Sequence, residues 1–176
     1  MANHTALVSI LCEDRPGLIA DVTGRLYDLG INLGDTTFAV LGGGAKLTLV
    51  AKLPSDVTIP DVEEELRAMP VLRGADLEVA PFAYRETHDQ SAHITHRIEI
   101  TGDDSPGLIA RLSEAFHQMG ANIVELNSES VPGGASGARF LLRMAVSIPQ
   151  DKTVVCLATV DNTAGQMNLA CRWQQV

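Results

Sequence analysis

Aromatic side chains are scarce in this chain, 4% of 176 residues, so its cores have to be assembled from Val, Ile, Leu and Ala. Such residues suit pleated sheets with thin helices packed on them. Cysteines are few, odd in number and scattered (Cys12, Cys156, Cys171), which argues against a disulfide framework and for reduced core thiols of a cytosolic protein. No apolar run approaches the ~20 residues that a spanning helix needs. The first ten residues, MANHTALVSI, lack a basic segment and a long apolar stretch, so no signal peptide is expected. The expected location is the cytoplasm, with no membrane contact. Basic clusters are missing as well. The formal charge is −9, of which −7 falls in residues 1–90 and −2 in residues 91–176. An acidic surface without a Lys/Arg patch or stacked aromatics repels phosphate backbones and argues against direct nucleic-acid binding.

Catalytic and metal signatures are absent too. There is no Gly-x-Ser-x-Gly, no Walker sequence and no dinucleotide fingerprint. His93 and His96 form an isolated H-x-x-H beside His88, without a cysteine at ligand spacing, and read as a solvated linker rather than a metal site. Cys12 has no helix-spaced histidine to act as its base, so a core thiol is expected. The reading is a non-enzyme with no cofactor and no metal.

What is present is a repeat. ILCEDRPGLIADVTGRLYDLGINL from Ile10 and ITGDDSPGLIARLSEAFHQMGANI from Ile100 align without a gap at an offset of 90. Asp14/Asp104, Pro16/Pro106, Gly17/Gly107, Leu18/Leu108, Ile19/Ile109, Ala20/Ala110, Gly30/Gly120 and Asn32/Asn122 are identical. A common rhythm of secondary structure explains matching apolar positions, but not a shared Asp-x-Pro-Gly and Gly-x-Asn at one spacing. Duplication does.

Each copy begins with a short β run, Ala6–Cys12 or His96–Thr101. Pro-Gly then opens a helix, with the proline in its first turn. Leu18, Val22, Leu26 and Leu29, like Leu108, Leu112, Phe116 and Met119, recur at helical spacing. Gly30 and Gly120 stand where a left-handed glycine ends a helix. Second strands are expected over Asn32–Leu41 and Asn122–Val131, third strands over Lys46–Leu53 and Arg139–Ile148. The Gly42-Gly43-Gly44 run between them reads as a hairpin turn, since no helix follows to make it a phosphate cradle. The longer Pro132–Gly137 stretch is its counterpart. Second helices fit Pro60–Met69 and Lys152–Thr163, and final strands Ala75–Val79 and Asn168–Trp173.

The fold class is therefore α+β: two ferredoxin-like βαββαβ units, each an antiparallel sheet with two helices on one face. The expected domains are 1–83 and 94–176, with the polar, aperiodic stretch 84–93 as linker. Units of about 80 residues sit near the lower limit of independent stability, so mutual packing or a homodimer is expected. Leu7, Ser9 and Leu11 stand where the second copy has Arg97, Glu99 and Thr101, which makes the outer sheet face of the first copy the more apolar one.

Asp-Arg-Pro-Gly-Leu-Ile-Ala, a helix, then Gly-Ile-Asn-Leu resembles the opening of an ACT domain, and both copies match. The resemblance implies ferredoxin-like regulatory modules that bind amino acids. Asn32–Leu41 with its following glycines, and PVLRGADLEV over Pro70–Val79, further resemble the family of glycine cleavage system regulatory (transcriptional repressor) proteins. That resemblance implies a tandem ACT pair without catalytic or DNA-binding domain. Such a pair senses a small amino acid, glycine, and acts through a protein partner such as a transcriptional activator. The alternative is an amino-acid-binding regulatory or dimerisation module of a metabolic enzyme.

The physics of an amino-acid ligand points to the same turns. Its carboxylate wants free backbone N–H groups, which a helix N-terminus supplies, and a residue without Cβ lets the ligand approach. The candidate set is Asp14, Arg15, Pro16, Gly17 and Leu18 with Asn32, and Asp104, Ser105, Pro106, Gly107 and Leu108 with Asn122. Asp14 and Asp104 either meet the ammonium or cap the helix; both readings are open. Arg15 against Ser105 means that the two sites need not be equivalent.

Overall fold

The structure is a computed structural model that describes residues 4–103, 106–133 and 138–176. The chain divides into two compact units, Met1–Glu86 and Thr87–Val176. The first contains β1 (His4–Glu13), α1 (Leu18–Asp28), β2 (Asn32–Leu41), β3 (Gly44–Leu53), α2 (Ile59–Arg67) and β4 (Asp76–Pro81). The second repeats the order with β5 (His96–Asp103), α3 (Leu108–Gln118), β6 (Asn122–Pro132), β7 (Ala138–Ser147), α4 (Thr153–Gln166) and β8 (Ala170–Gln175). Both sheets are fully antiparallel, ordered β2-β3-β1-β4 and β6-β7-β5-β8. These are two ferredoxin-like units. Among the described residues no helix is long and apolar enough to cross a membrane.

Strand alternation explains which face is buried. Ala6, Val8 and Ile10 of β1 and Leu47, Leu49 and Ala51 of β3 turn to one side. There they meet Leu18, Val22 and Leu26 of α1 and Val62 and Leu66 of α2. In the second unit Ile98, Ile100, Leu142, Met144 and Val146 face Leu108, Leu112, Phe116, Cys156 and Val160. Each fully buried aliphatic side chain contributes about 1.5–3 kcal/mol. Among the described residues no helix packs on the other sheet face.

The repeated glycines have backbone roles. Arg15, Pro16, Gly17 and Leu18 form a type II turn: the Leu18 N–H donates to the Arg15 carbonyl (3.4 Å) and Gly17 takes φ +88°, ψ −11°. Gly107 takes the same left-handed angles, φ +82° and ψ 5°. Pro16 thus lies in this turn ahead of α1, not in the helix's own first turn as expected. A type II turn takes proline second and a left-handed glycine third, and that glycine is the N-cap. Gly30 and Gly120 (φ +72° and +69°) close Schellman motifs: Gly30 N–H donates to Tyr27 and Ile31 N–H to Leu26, and Gly120 and Ala121 repeat the pair onto His117 and Phe116.

Two other expectations shift. Helix α4 ends in a third Schellman motif, with Asn168 left-handed at φ +57° and Leu169 N–H donating to the Ala164 carbonyl. Asn168 and Leu169 therefore belong to the helix ending, and β8 starts only at Ala170. The hairpin after β2 turns on Gly42 and Gly43, with Gly42 at φ +63°, while Gly44 already pairs in β3. Most of the expected Pro132–Gly137 counterpart lies outside the described residues.

Candidate functional site

In the first unit, Asp14, Arg15, Pro16, Gly17 and Leu18 come together around one groove of about 510 Å³, where β1 hands over to α1. Its position follows from two local facts. The type II turn swings the chain off the sheet, and the Asp14 N–H donates to the Gly43 carbonyl (3.1 Å), tying the turn to the tip of the β2–β3 hairpin. The opposite wall is apolar, from Phe38 and Val40 on the edge strand β2 and Ile19 and Ala20 on the first turn of α1. Val40 is 52% exposed and Ile19 42% exposed. These four residues were not foreseen. The available signal was strand alternation, which puts Phe38 and Val40 opposite the core residues Leu47 and Ala45 and so on the helix side of an edge strand.

The N-cap Gly17 has no side chain, and no side-chain hydrogen bond caps α1. Asp14 therefore does not cap the helix. With the Leu18 amide taken by Arg15 and the Asp21 amide by Gly17, the Ile19 and Ala20 amides of α1 are left to solvent or to a ligand, and the positive end of the helix dipole lies at the groove. Arg15 makes only a loose ion pair with Glu13 (3.9 Å). Near the turn, burial pushes the Cys12 thiol up, with Arg15 pulling the other way and Asp14 and Glu13 adding to the rise. A raised thiol is the opposite of an activated nucleophile.

Asn32 does not join this groove. It opens β2 beyond the other end of α1, about 16 Å away along the 11-residue helix, beside Lys52 of β3. In the second unit Gly107 has the same left-handed angle ahead of α3, with Leu108 buried and Pro106 and Gly107 exposed. Among the described residues no side chain caps α3 either. Asp104 and Ser105 lie outside the described residues. Asn122 stands at the far end of α3, and its amide donates to the Ser91 carbonyl (2.8 Å), pinning the segment ahead of β5. Within each unit, the turn residues and the asparagine thus sit at opposite ends of the helix. Among the described residues no group of three or more His, Cys, Asp or Glu stands close enough to hold a metal ion.

Comparison with known proteins adds the family. Residues 6–71 and residues 97–174 each match an ACT domain. The glycine cleavage system transcriptional repressor of Escherichia coli (strain K12) is 28% identical over 133 residues, 74% of this chain and 67% of the repressor. The repressor of Shigella flexneri matches to the same extent. Among solved structures, an unknown protein from Galdieria sulphuraria superposes with a TM-score of 0.76 at 20% identity, covering 99% of both chains. A structure assigned provisionally as a glycine cleavage system transcriptional repressor gives 0.70 at 15% identity, covering 100% of this chain and 99% of the other. At these identities the two superpositions speak for the fold.

Proposed function

The chain belongs to the ACT-domain family as a tandem pair, and from that premise we propose a non-enzymatic regulator that binds a small amino acid and passes the signal to a protein partner. The observation that carries the proposal is the groove at the start of α1. Five of the six first-copy candidates meet there, against helix amides that no side chain caps. An α-amino carboxylate placed at those amides gains charge-assisted hydrogen bonds and the helix dipole. Asp14 and Arg15 supply opposite charges at the rim, and Gly17 leaves its backbone open. Similarity to the glycine cleavage repressors makes glycine the first ligand to test and a transcriptional activator the partner, in the cytoplasm. Mechanistically, the ligand stabilises one arrangement of units or subunits and the partner reads that arrangement.

The test is thermal unfolding across the amino acids, with Gly17→Val and Asp14→Asn as site variants and Asn32→Ala as a probe of the distant asparagine. A ligand at 100 times its Kd adds about 2.7 kcal/mol of stability. Glycine is expected to raise the melting temperature of the parent and not of the two groove variants. Asp14→Asn is isosteric and keeps the test valid if the strained Gly17→Val fails to fold. No shift with any amino acid, or an equal shift in both groove variants, defeats the site. A pull-down with and without glycine, followed by a gel shift with the recovered partner, tests the second half.

A second reading, a homodimerisation module, draws on exposed Ile19, Phe38, Val40 and Leu41 along one edge. Sedimentation of Val40→Asp against the parent decides it: a dimer that the variant dissociates supports it, and a monomeric parent removes it.

A further inference from the structure

The exposed sheet face of the second unit carries a groove of about 470 Å³. Its floor and walls follow from register. Ala145 of β7 lies between Arg97 of β5 and Glu125 of β6, and one pair further along Arg143 lies between Glu99 and Asn127. On the outer strand β8, Gln174 stands beside Arg97 and Arg172 beside Glu99. A small residue ringed by long polar ones makes the hollow, and Ala145 is 2% exposed at its base.

The charges are mostly committed. Arg143 reaches both Glu99 (3.3 Å) and Glu129 (2.8 Å), and Arg97 pairs with Glu125 (3.6 Å). Arg172 is left over: among the described residues it makes no ion pair or hydrogen bond, because its cross-strand neighbour Glu99 is already held by Arg143. The groove thus presents one uncommitted guanidinium, two carboxylates with unused lone pairs, and the amides of Asn127 and Gln174.

The fold does not require any of this. At the matching register positions of the first unit, Arg97, Glu99, Arg143, Ala145, Arg172 and Gln174 are answered by Leu7, Ser9, Thr48, Val50, Glu78 and Ala80. The same sheet stands with neutral residues, and with the opposite charge at the place of Arg172.

We propose that this groove is a second ligand site, taking a zwitterionic α-amino acid with a polar side chain. Its carboxylate is held bidentately by Arg172 on β8, its ammonium lies toward the neighbouring Glu99, and its side chain extends across Ala145 toward Glu125 and Asn127 on β6. One free guanidinium matches one carboxylate. A phosphate dianion is disfavoured by the two flanking carboxylates, and a volume near 470 Å³ lies in the range of small-molecule sites. The inference rests on the proposed function only for the ligand class; the place is new and lies in the other unit.

Ala145 and Gln174 line the groove, and their backbone amide resonances serve as the reporters, since Trp173, paired with the core residue Ile98, turns its indole to the other face. L-glutamine is titrated into the isotope-labelled full chain while those resonances are followed, with acetate and ethylamine as half-ligands. A saturable change is expected for glutamine, at least about tenfold weaker in Arg172→Gln and in Arg172→Glu, the loss of one charge-assisted contact. Arg172→Gln keeps the site neutral beside Glu99, while Arg172→Glu reverses the charge that the ligand carboxylate meets. Arg111→Gln, an exposed arginine on α3, is expected to bind within twofold of the parent, as is Asp14→Asn. The proposal is overturned by the absence of a saturable glutamine response, by acetate binding as well as glutamine, or by Arg111→Gln losing as much as Arg172→Gln. An Asp14→Asn that abolishes the Ala145 and Gln174 response also overturns it, by moving the site to the first unit. A missing glycine shift at the α1 groove leaves this titration unaffected, so the two failures are told apart.

Discussion

Gly17→Ala distinguishes a glycine needed for its backbone angle from one needed for space. An ideal Cβ on Gly17 meets nothing nearer than the Asp21 Oδ2 at 4.0 Å, so no clash opposes the methyl group. The angle does: at φ +88° an L-residue is disfavoured by roughly 1–2 kcal/mol. Gly24 supplies the internal contrast. It lies within the same helix, is exposed, and has nothing within 4 Å of its Cβ position. Alanine there restricts the unfolded chain and contributes about 0.5–1 kcal/mol of stability. In a unit spanning Met1–Glu86, 1 kcal/mol moves the midpoint by about 4–8 °C. Gly17→Ala should therefore lower the transition of the first unit by roughly 4–16 °C and Gly24→Ala raise it by roughly 2–8 °C. Calorimetry resolves the transitions. Tyr27 and Tyr84 lie in the first unit and Trp173 in the second, so near-ultraviolet tyrosine and tryptophan signals assign them. Shifts of the same sign, or a Gly17→Ala midpoint equal to the parent's, would refute the assignment of this turn to backbone conformation.

Thr58 and Asp61 form a capping box at α2, in which the Thr58 N–H donates to the Asp61 Oδ2 (2.8 Å) and the Asp61 N–H to the Thr58 hydroxyl (3.4 Å). Thr58→Ala should cost about 1 kcal/mol in urea unfolding of the first unit. The Thr58 hydroxyl and then its amide hold the Asp61 carboxyl below its ordinary value. Its stabilising share is thus present above the ordinary carboxylate range and is lost as pH falls through the lowered value. Thr58→Ala should flatten that part of the acid limb, and an unchanged acid limb would contradict it. Burial, with a smaller push from Asp161, raises the Cys171 thiol to about 11. A folded-state value above the unfolded one means that its share is intact below the ordinary thiol range and declines as pH rises toward about 11. Iodoacetamide at pH 8 should label Cys171 more slowly than a free thiol, and Cys171→Ala should lessen the alkaline loss of the second unit. Rapid labelling of native protein would remove this reading.

Much of the fold was legible because its signals are local. Apolar residues at helical spacing in α1 and α3, glycine at each helix end and the glycine turn after β2 each mark an element through its own backbone chemistry. β2 was expected at Asn32–Leu41 and has those bounds. The errors were of neighbouring chemistry. Pro-Gly was read as the first turn of a helix when a type II turn uses the same two residues, and Asn168 was read as strand when its short amide tolerates a left-handed helix ending. The groove partners were not legible, for another reason. Phe38 and Ile19 are 19 positions apart, and only the packing of α1 against the sheet sets them across one hollow. Arg172 and Arg143 likewise share a face only through the register of β8, β5 and β7.

The repeat itself sharpens what the first groove means. Of the identical pairs, Pro16/Pro106 and Gly17/Gly107 are accounted for by the turn, Leu18/Leu108 by burial to 2%, and Gly30/Gly120 by the Schellman endings. Asn122 is held by its bond to Ser91. Removing these leaves Asp14, Ile19, Ala20 and Asn32 in the first copy. Asp14 caps nothing, and Ile19 and its counterpart Ile109 are 42% and 37% exposed on first helical turns, where a polar residue would serve the fold as well. Three of those four line the same groove. Residues repeated without a structural need, and gathered in one hollow beside uncapped helix amides, are the pattern that the proposed ligand site predicts. The fold alone explains the glycines; it does not explain Asp14 and Ile19.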